Sequence, residues 1–291
     1  MKNLEKLAEL AKTLPATLVE NASTLVEKMG EVIEGFGDKD IEWRPGTLKL
    51  VQATTDRTKI PKGAGIGSLM LAEEVLEQPF KVIPLRIDVT RQYWNPDNTR
   101  AQMLCSSPDA KIGFMYGDCF KCPHSKFDEE ANRSACNKSL SILCLSADLT
   151  NVFTVNFTKT NYVNGTDWQS SMKKLGVNTF NRFYNLSTEP SPKAKNVEII
   201  KAAGVTGEKV EGAVLDFVKE MYNLAKVNRV ESLDGFYKYI ENKKSNSSLQ
   251  LEHQATSDIA LISDHSHEQE VLPPEAPFEN STPATGKKYK L

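Results

Sequence analysis

The sequence predicts an α+β chain: a strand-rich, barrel-like core carrying a cysteine-rich insert, helices on either side, and a disordered tail. Three observations predict it. Apolar residues recur at three–four spacing at the start of the chain and again after residue 204. Between those segments the spacing changes to two. Four of the five cysteines crowd into residues 105–136.

Residues 1–42 form the first helical arm. Leu4, Leu7, Ala11 and Leu14 line one stripe; after Pro15, Leu18, Ala22, Leu25, Met29 and Val32 resume it. Gly35 and Gly37 are expected to end the second helix. The polar faces are acidic. The arm either packs on the main body or docks a partner.

Residues 43–203 read as strands. Thr47 to Thr54 and Phe80 to Val89 alternate with period two. Leu140–Ala147 and Asn151–Thr158 read as a hairpin turned at Asp148, Leu149 and Thr150. Phe153, Val155 and Phe157 fall on one face, and Thr154, Asn156 and Thr158 on the other. Thr166–Leu175 reads as a short helix with Thr166 as N-cap and Gly176 at its end. Phe180–Ser187 and Asn196–Ala202 supply further strands around a proline-rich turn. Residues 204–244 are helical again, with stripes Val210, Val214, Phe217, Met221, Leu224 and Leu233, Phe236, Tyr237, Ile240. From 245 to 291 the composition shifts to Ser, Gln, Asn, Pro, Asp and Glu, which predicts disorder.

The net charge of −2 hides a pattern. Residues 43–203 are basic by +6, while residues 1–42 and 246–291 each carry −4. No apolar run approaches the roughly 18–20 residues a membrane span needs. The first residues lack the apolar stretch of a secretory signal. A cytoplasmic location is expected, where cysteines stay reduced. Cys144, inside the run Leu140–Leu145, is read as a buried small hydrophobe.

The other four follow the pattern Cys105-x13-Cys119-x2-Cys122-x13-Cys136. Two sulfurs separated by two residues ligate one ion from a tight turn, the geometry of a zinc knuckle. Gly117 permits the turn, and Lys121 is expected to offset the charge of the thiolates. The flanking loops have little core and need a staple, which metal binding provides. Four cysteines close the coordination sphere, so one structural Zn2+ is expected. His124 is an alternative fourth ligand.

An enzyme is not expected. His253, His265 and His267 lie in the tail and His124 in the cysteine loop, so the folded part holds no free histidine base. Lys62 to Ser68 is glycine-rich but lacks the Gly-Lys-Ser/Thr ending of a phosphate loop. It is read as a turn, or as a flexible loop near a groove.

The basic middle also holds 15 of the 23 aromatic residues. Rings interleaved with cations suit single-stranded nucleic acid: bases stack on the rings and phosphates follow the cations. The candidate contacts are Arg91, Tyr93, Trp94, Tyr116, Lys121, Tyr162, Arg182 and Tyr184. Five or so strands with one helix before the last strands suit a small barrel such as the OB-fold, with the zinc loop inserted between two barrel strands.

On Cys105, Cys119, Cys122 and Cys136, the aromatic-basic strands and the tail from residue 245, the chain resembles phage-type single-stranded DNA-binding proteins. The resemblance implies an OB barrel with a cysteine-ligated zinc insert. It also implies sequence-tolerant binding of single-stranded DNA, or RNA, in viral replication, recombination or transcription within the host cytoplasm. It further implies a tail that recruits a replication or transcription protein. The tail departs from that pattern by ending in Lys287, Lys288 and Lys290. The competing expectation is a zinc-containing adaptor that acts on a polymerase.

Overall fold

The computed structural model describes all residues except 1, 31, 34–40, 43–44, 96–101, 130–133, 177 and 262–291. The chain divides into two compact units, residues 1–240 and 241–291; the account below concerns the first.

The N-terminal stripes become α1 (Lys2–Ala11) and α2 (Ala16–Gly30). Leu7 and Ala11 are buried on α1, and Ala22, Leu25 and Val26 on α2. The second helix stops at Gly30, short of the expected glycine pair. Val32 instead lies in a two-residue strand, β1 (Val32–Ile33), paired with β2 (Ile41–Glu42). Gly35 and Gly37 fall outside the described residues.

The strands that follow are β3 (Gly46–Leu50), β4 (Leu69–Leu71), β5 (Glu74–Leu76), β6 (Phe80–Trp94), β7 (Met103–Ser107), β8 (Ile112–Gly113), β9 (Gly117–Asp118), β10 (Cys136–Ser146) and β11 (Val152–Thr158). Then come α3 (Tyr162–Lys174), β12 (Arg182–Pro190), β13 (Glu198–Lys209) and α4 (Gly212–Leu261). Nine strands make one curled, half-barrel sheet in the order β13-β12-β6-β10-β11-β3-β4-β5, with β7 also on β6. Among the described strands only the β11–β3 pairing is parallel.

The β10–β11 hairpin turns where the sequence places it. Leu149 takes a positive φ of 61°, and Asp148 Oδ1 accepts from the Thr150 amide and hydroxyl. Phe153, Val155 and Phe157 are fully buried. They join Leu48, Leu69, Val82, Leu140, Ile142, Cys144 and Leu186 in the sheet's concave core.

One end of that core is closed by α3, whose Trp168 and Met172 are buried. Trp168 meets Phe157 and Tyr184 edge-on, at 6.0 and 5.5 Å. A Cβ on Gly165 would stand 2.6 Å from Phe157 Cβ, so only glycine allows this approach. The helix starts one turn before the predicted N-cap; Thr166 lies inside it, donating its hydroxyl to the Val163 carbonyl. It ends as predicted, with Gly176 at φ +61°.

The open seam of the half-barrel is bridged by side-chain amides. Gln52 donates to the Glu198 carbonyl and accepts from the Glu198 amide, both at 2.8 Å, imitating a strand pair. Gln78 does the same between the Gly67 carbonyl and the Thr188 amide, both at 2.9 Å. The glycine-rich segment at 62–68 thus serves this seam, and its Gly67 carbonyl is also taken by the Thr188 hydroxyl.

The convex face has a second core. Ile83 and Leu85 of β6, Leu143 and Leu145 of β10, and Val152 of β11 pack against α1, α2 and α4, the last through Phe217, Val218, Met221 and Ala225. This is why β6 and β10 are apolar without alternation there: both faces are covered. Pro84 sits where the β6–β10 register slips, a place that tolerates its missing donor.

Two expected boundaries move. β13 runs on to Lys209, so the last helix starts at Gly212 rather than Val205. That helix continues past 244 to Leu261, and the rest of the expected tail lies outside the described residues. No helix among the described residues is long and apolar enough to cross a membrane.

Candidate nucleic-acid interface

The cysteine knob grows out of β6. At 15 residues this strand overshoots the barrel, and its far end pairs with β7 on one side and β10 on the other. Tyr93 is the residue across from both Cys105 and Cys136. Register alone therefore sets these two distant cysteines on either side of one tyrosine.

Cys119 and Cys122 come from the turn after β9. Asp118 organises it: its carbonyl accepts from the Lys121 and Cys122 amides, and its carboxylate accepts from the Phe120 amide at 2.8 Å. Ser125 donates its hydroxyl to the Cys122 carbonyl at 2.8 Å.

All four cysteines are buried, none is in a disulfide, and they line one small pocket. Its free space of about 10 Å³ holds one water-sized particle. The position a Gly113 Cβ would take lies 2.9 Å from Cys105 Sγ and 3.6 Å from Cys119 Sγ, so a side chain there would fill the space. The Met115 amide donates to Cys105 Sγ at 3.4 Å. Burial pushes the Cys119 and Cys136 thiols up, and Arg91, hydrogen-bonded to Cys136, pulls the other way.

Donor type, burial and volume fit a single thiophilic dication such as zinc. The sulfurs are not drawn into a closed cluster: among the described residues no group of three or more Cys, His, Asp or Glu stands in metal-holding geometry. All four buried cysteines nonetheless line one water-sized space. Two details differ from expectation. Arg91, not Lys121, stands beside the sulfurs; Lys121 is exposed and 3.9 Å from Asp118. His124 lines the same pocket but stacks on Tyr93, with centroids 4.2 Å apart and planes 15° from parallel.

Beside the knob, the convex face of the sheet turns polar. Thr90 and Gln92 of β6, Ser139 and Ser141 of β10, and Thr154, Asn156 and Thr158 of β11 floor an open groove of about 510 Å³. Ser106, Ser107 and Pro108 of the knob form one wall, and Phe236 of α4 forms part of another. Asn156 and Thr158 also line a second hollow, which continues past Lys159 and Asn161 to Asn196 in the β12–β13 loop. The two hollows make one polar track across the strands, from the knob to that loop.

The predicted contacts divide on this map. Arg91 lines both the groove and the cysteine pocket. Trp94, 38% exposed, pairs with Met103 on the groove wall. Tyr116 is exposed on the knob, with its ring against Tyr93 and His124. Tyr162, half-buried under the Lys138 ammonium, begins α3 just after Lys159 and Asn161 of the track's far end. Tyr93 is 9% exposed and packed into the knob, so it supports the knob instead of meeting bases.

Arg182 and Tyr184 must be set aside. β12 joins β6 at Phe80–Val82, the end away from Arg91–Trp94, and Tyr184 is buried against Trp168 with its phenol pushed up by burial. Their Arg-Phe-Tyr spelling reflects a core strand.

Sequence reasoning missed the groove floor, although the Ser139–Ser141 and Thr154–Thr158 alternation signals a solvated strand face. It also passed over Phe127, which is 64% exposed on the knob beside Lys126; Phe120 is 76% exposed beside Lys121. No known family, curated protein or solved structure matches this chain.

Proposed function

We propose that the chain binds single-stranded DNA with little regard to sequence, in viral replication, recombination or transcription. The observation that carries this reading is the polar track across β6, β10 and β11, bounded by the knob and the β12–β13 loop. Strand connectivity supports it. Taking β6, β10, β11, β12 and β13 in order gives five strands with a helix between the third and fourth and the spatial order 5-4-1-2-3, the fourth returning to lie beside the first. Such an order is the one expected of a Greek-key OB barrel, which binds oligonucleotides on the face of its second and third strands and on the loops between strands 1–2 and 4–5. Here those are the β10–β11 face, the knob and the β12–β13 loop.

Each part has a physical task. Ser, Thr and Asn side chains on the floor hydrogen-bond phosphates or base edges without fixing a sequence. Arg91, and lysines such as Lys159 and Lys121, attract the backbone. Trp94 and Tyr116 offer ring faces for stacking. Cys105, Cys119, Cys122 and Cys136 would hold one zinc ion, whose bonds to sulfur would fix the knob as a wall of the groove. No step of catalysis is needed.

Fluorescence anisotropy of labelled oligo-dT at low and moderate salt tests the reading. Binding should exceed that to duplex and fall steeply with salt. Trp94→Ala should weaken it by about 1–3 kcal/mol while stability changes little. Tyr93 is not a clean probe, since its ring supports the knob. Absence of oligonucleotide binding at low salt would sink the proposal.

A second reading has its own observation. Met115, Phe120 and Phe127 are exposed on one small knob, as in a protein-docking surface. Salt-insensitive binding of a replication or transcription protein that survives nuclease would favour such an adaptor.

A further inference from the structure

A charged group stands where the groove, the knob and α4 meet. Asp88 lies on β6 across from Ser141, which floors the groove. A carboxylate in that position would repel phosphate and disfavour the site. It is held by two guanidinium groups: Arg86 Nε at 2.9 Å and Arg229 Nε at 3.0 Å.

Arg229 does more than pair. Its other end donates to the carbonyl of Pro108, the knob residue that lines the groove. Its side chain and that of Asp88 are each only 17% exposed. Arg86 does not reach the knob; its other end donates to the Ala225 carbonyl of α4. One residue, Arg229, therefore joins the sheet, the knob and the helix.

Two further contacts lie along the same helix. The Tyr237 hydroxyl donates to the Asp109 carboxylate, and Tyr239 stacks on Phe114 with centroids 5.6 Å apart. Between Arg229 and Tyr239 the helix thus touches the knob at three places, and Phe236 faces the groove from the same stretch. The knob joins the barrel through the pairings of β6 with β7 and β10, and α4 contacts it from another side.

We infer that Arg229 is a positioning residue for nucleic-acid binding: it locks the knob at a fixed distance from the groove floor, so the walls are set before a strand arrives. Preorganisation of this kind lowers the cost of ordering on binding. The inference rests on the proposed function above and adds a residue that touches no nucleic acid itself.

Arg229→Ala should lower oligo-dT affinity about tenfold, with metal content per chain unchanged, measured by anisotropy at a temperature where both proteins are folded. The double variant Asp88→Asn with Arg229→Ala separates positioning from charge masking. Positioning predicts that the double variant stays as weak as Arg229→Ala, because the Pro108 contact is still missing. Full recovery would overturn the inference and leave Arg229 as a mere shield for Asp88. Unchanged affinity in Arg229→Ala would overturn it as well. If Arg229→Ala fails to fold, Tyr237→Phe removes one knob contact and should lower affinity by about threefold; no change there would equally overturn the inference. Wild-type protein that binds no oligonucleotide is a different result, the failure of the proposed function itself.

Discussion

The convex face of one hairpin has two fates. Near the turn, Leu145 and Val152 sit opposite each other and are buried under α1, α2 and α4. One pair further along, Leu143 faces Thr154, which lines the open groove. Beyond it, Ser141 faces Asn156 and donates to its side-chain oxygen, and Ser139 faces Thr158. Same strands, same face, same pleat: what changes is whether a helix lies above. The covered half uses side chains that gain by leaving water. The open half uses polar side chains, of which Asn156 and Thr158 stay exposed to it while Ser139 is buried. A binding surface can thus be built on the same sheet as a core with no change of backbone.

The comparison should break most visibly at the knob. On the proposed zinc site, chelation or Cys122→Ser should remove a folding contribution that is on the order of 10 kcal/mol in small zinc peptides. The knob, with Tyr93, Cys105 and Cys136 as its small cluster of buried residues, should lose order while the covered half stays folded. Oligonucleotide affinity should then collapse, with cooperative melting of the barrel retained by circular dichroism. Loss of both together would mean the halves are not independent.

A pair of substitutions sharpens the contrast. Leu145→Ala in the covered half should cost about 2–5 kcal/mol of stability, and denaturant titration should show it. Oligonucleotide affinity of the folded protein should hold. Asn156→Asp in the open half should do the reverse: stability within about 0.5 kcal/mol, but weaker binding through repulsion of phosphate. Equal effects on both measurements would erase the distinction.

The smallest expected effect is at high pH. Hydrogen bonding to Asp109 pushes the Tyr237 phenol up to about 12, from an ordinary value near 10. A raised acid favours the neutral form, so its contribution is complete below about pH 10 and fades as pH climbs through 12. Tyr237→Phe should remove that dependence between pH 10 and 12 in the α4–knob contact. The Arg229 charge, which pulls the phenol the other way, tempers it.

Much of this was legible in the residues. The alternation from Phe153 to Thr158 announced a strand with one buried face, and the Asp148–Thr150 turn sits where it was expected. The Cys-x2-Cys pair and its two distant partners pointed to a shared site, and all four cysteines line one pocket, although they do not stand in metal-holding geometry. Tyr93, Trp94 and Tyr184 look alike in sequence, each beside a polar or basic neighbour. The fold buries Tyr184 in the barrel, tucks Tyr93 into the knob and leaves Trp94 exposed across from Met103. Local spelling cannot separate them, because burial depends on which strand lies alongside.

By itself the sequence determined what is local: helix stripes, strand alternation and the turn residues. Those follow from interactions within a few residues of each other, and they are written in order along the chain. The tertiary structure alone decided the rest. Pairing of β6 with both β7 and β10 set Cys105 and Cys136 about Tyr93, and α4 returned across the sheet to reach Pro108 and Asp109. Each depends on contacts between residues far apart in the chain, whose partners no local pattern names.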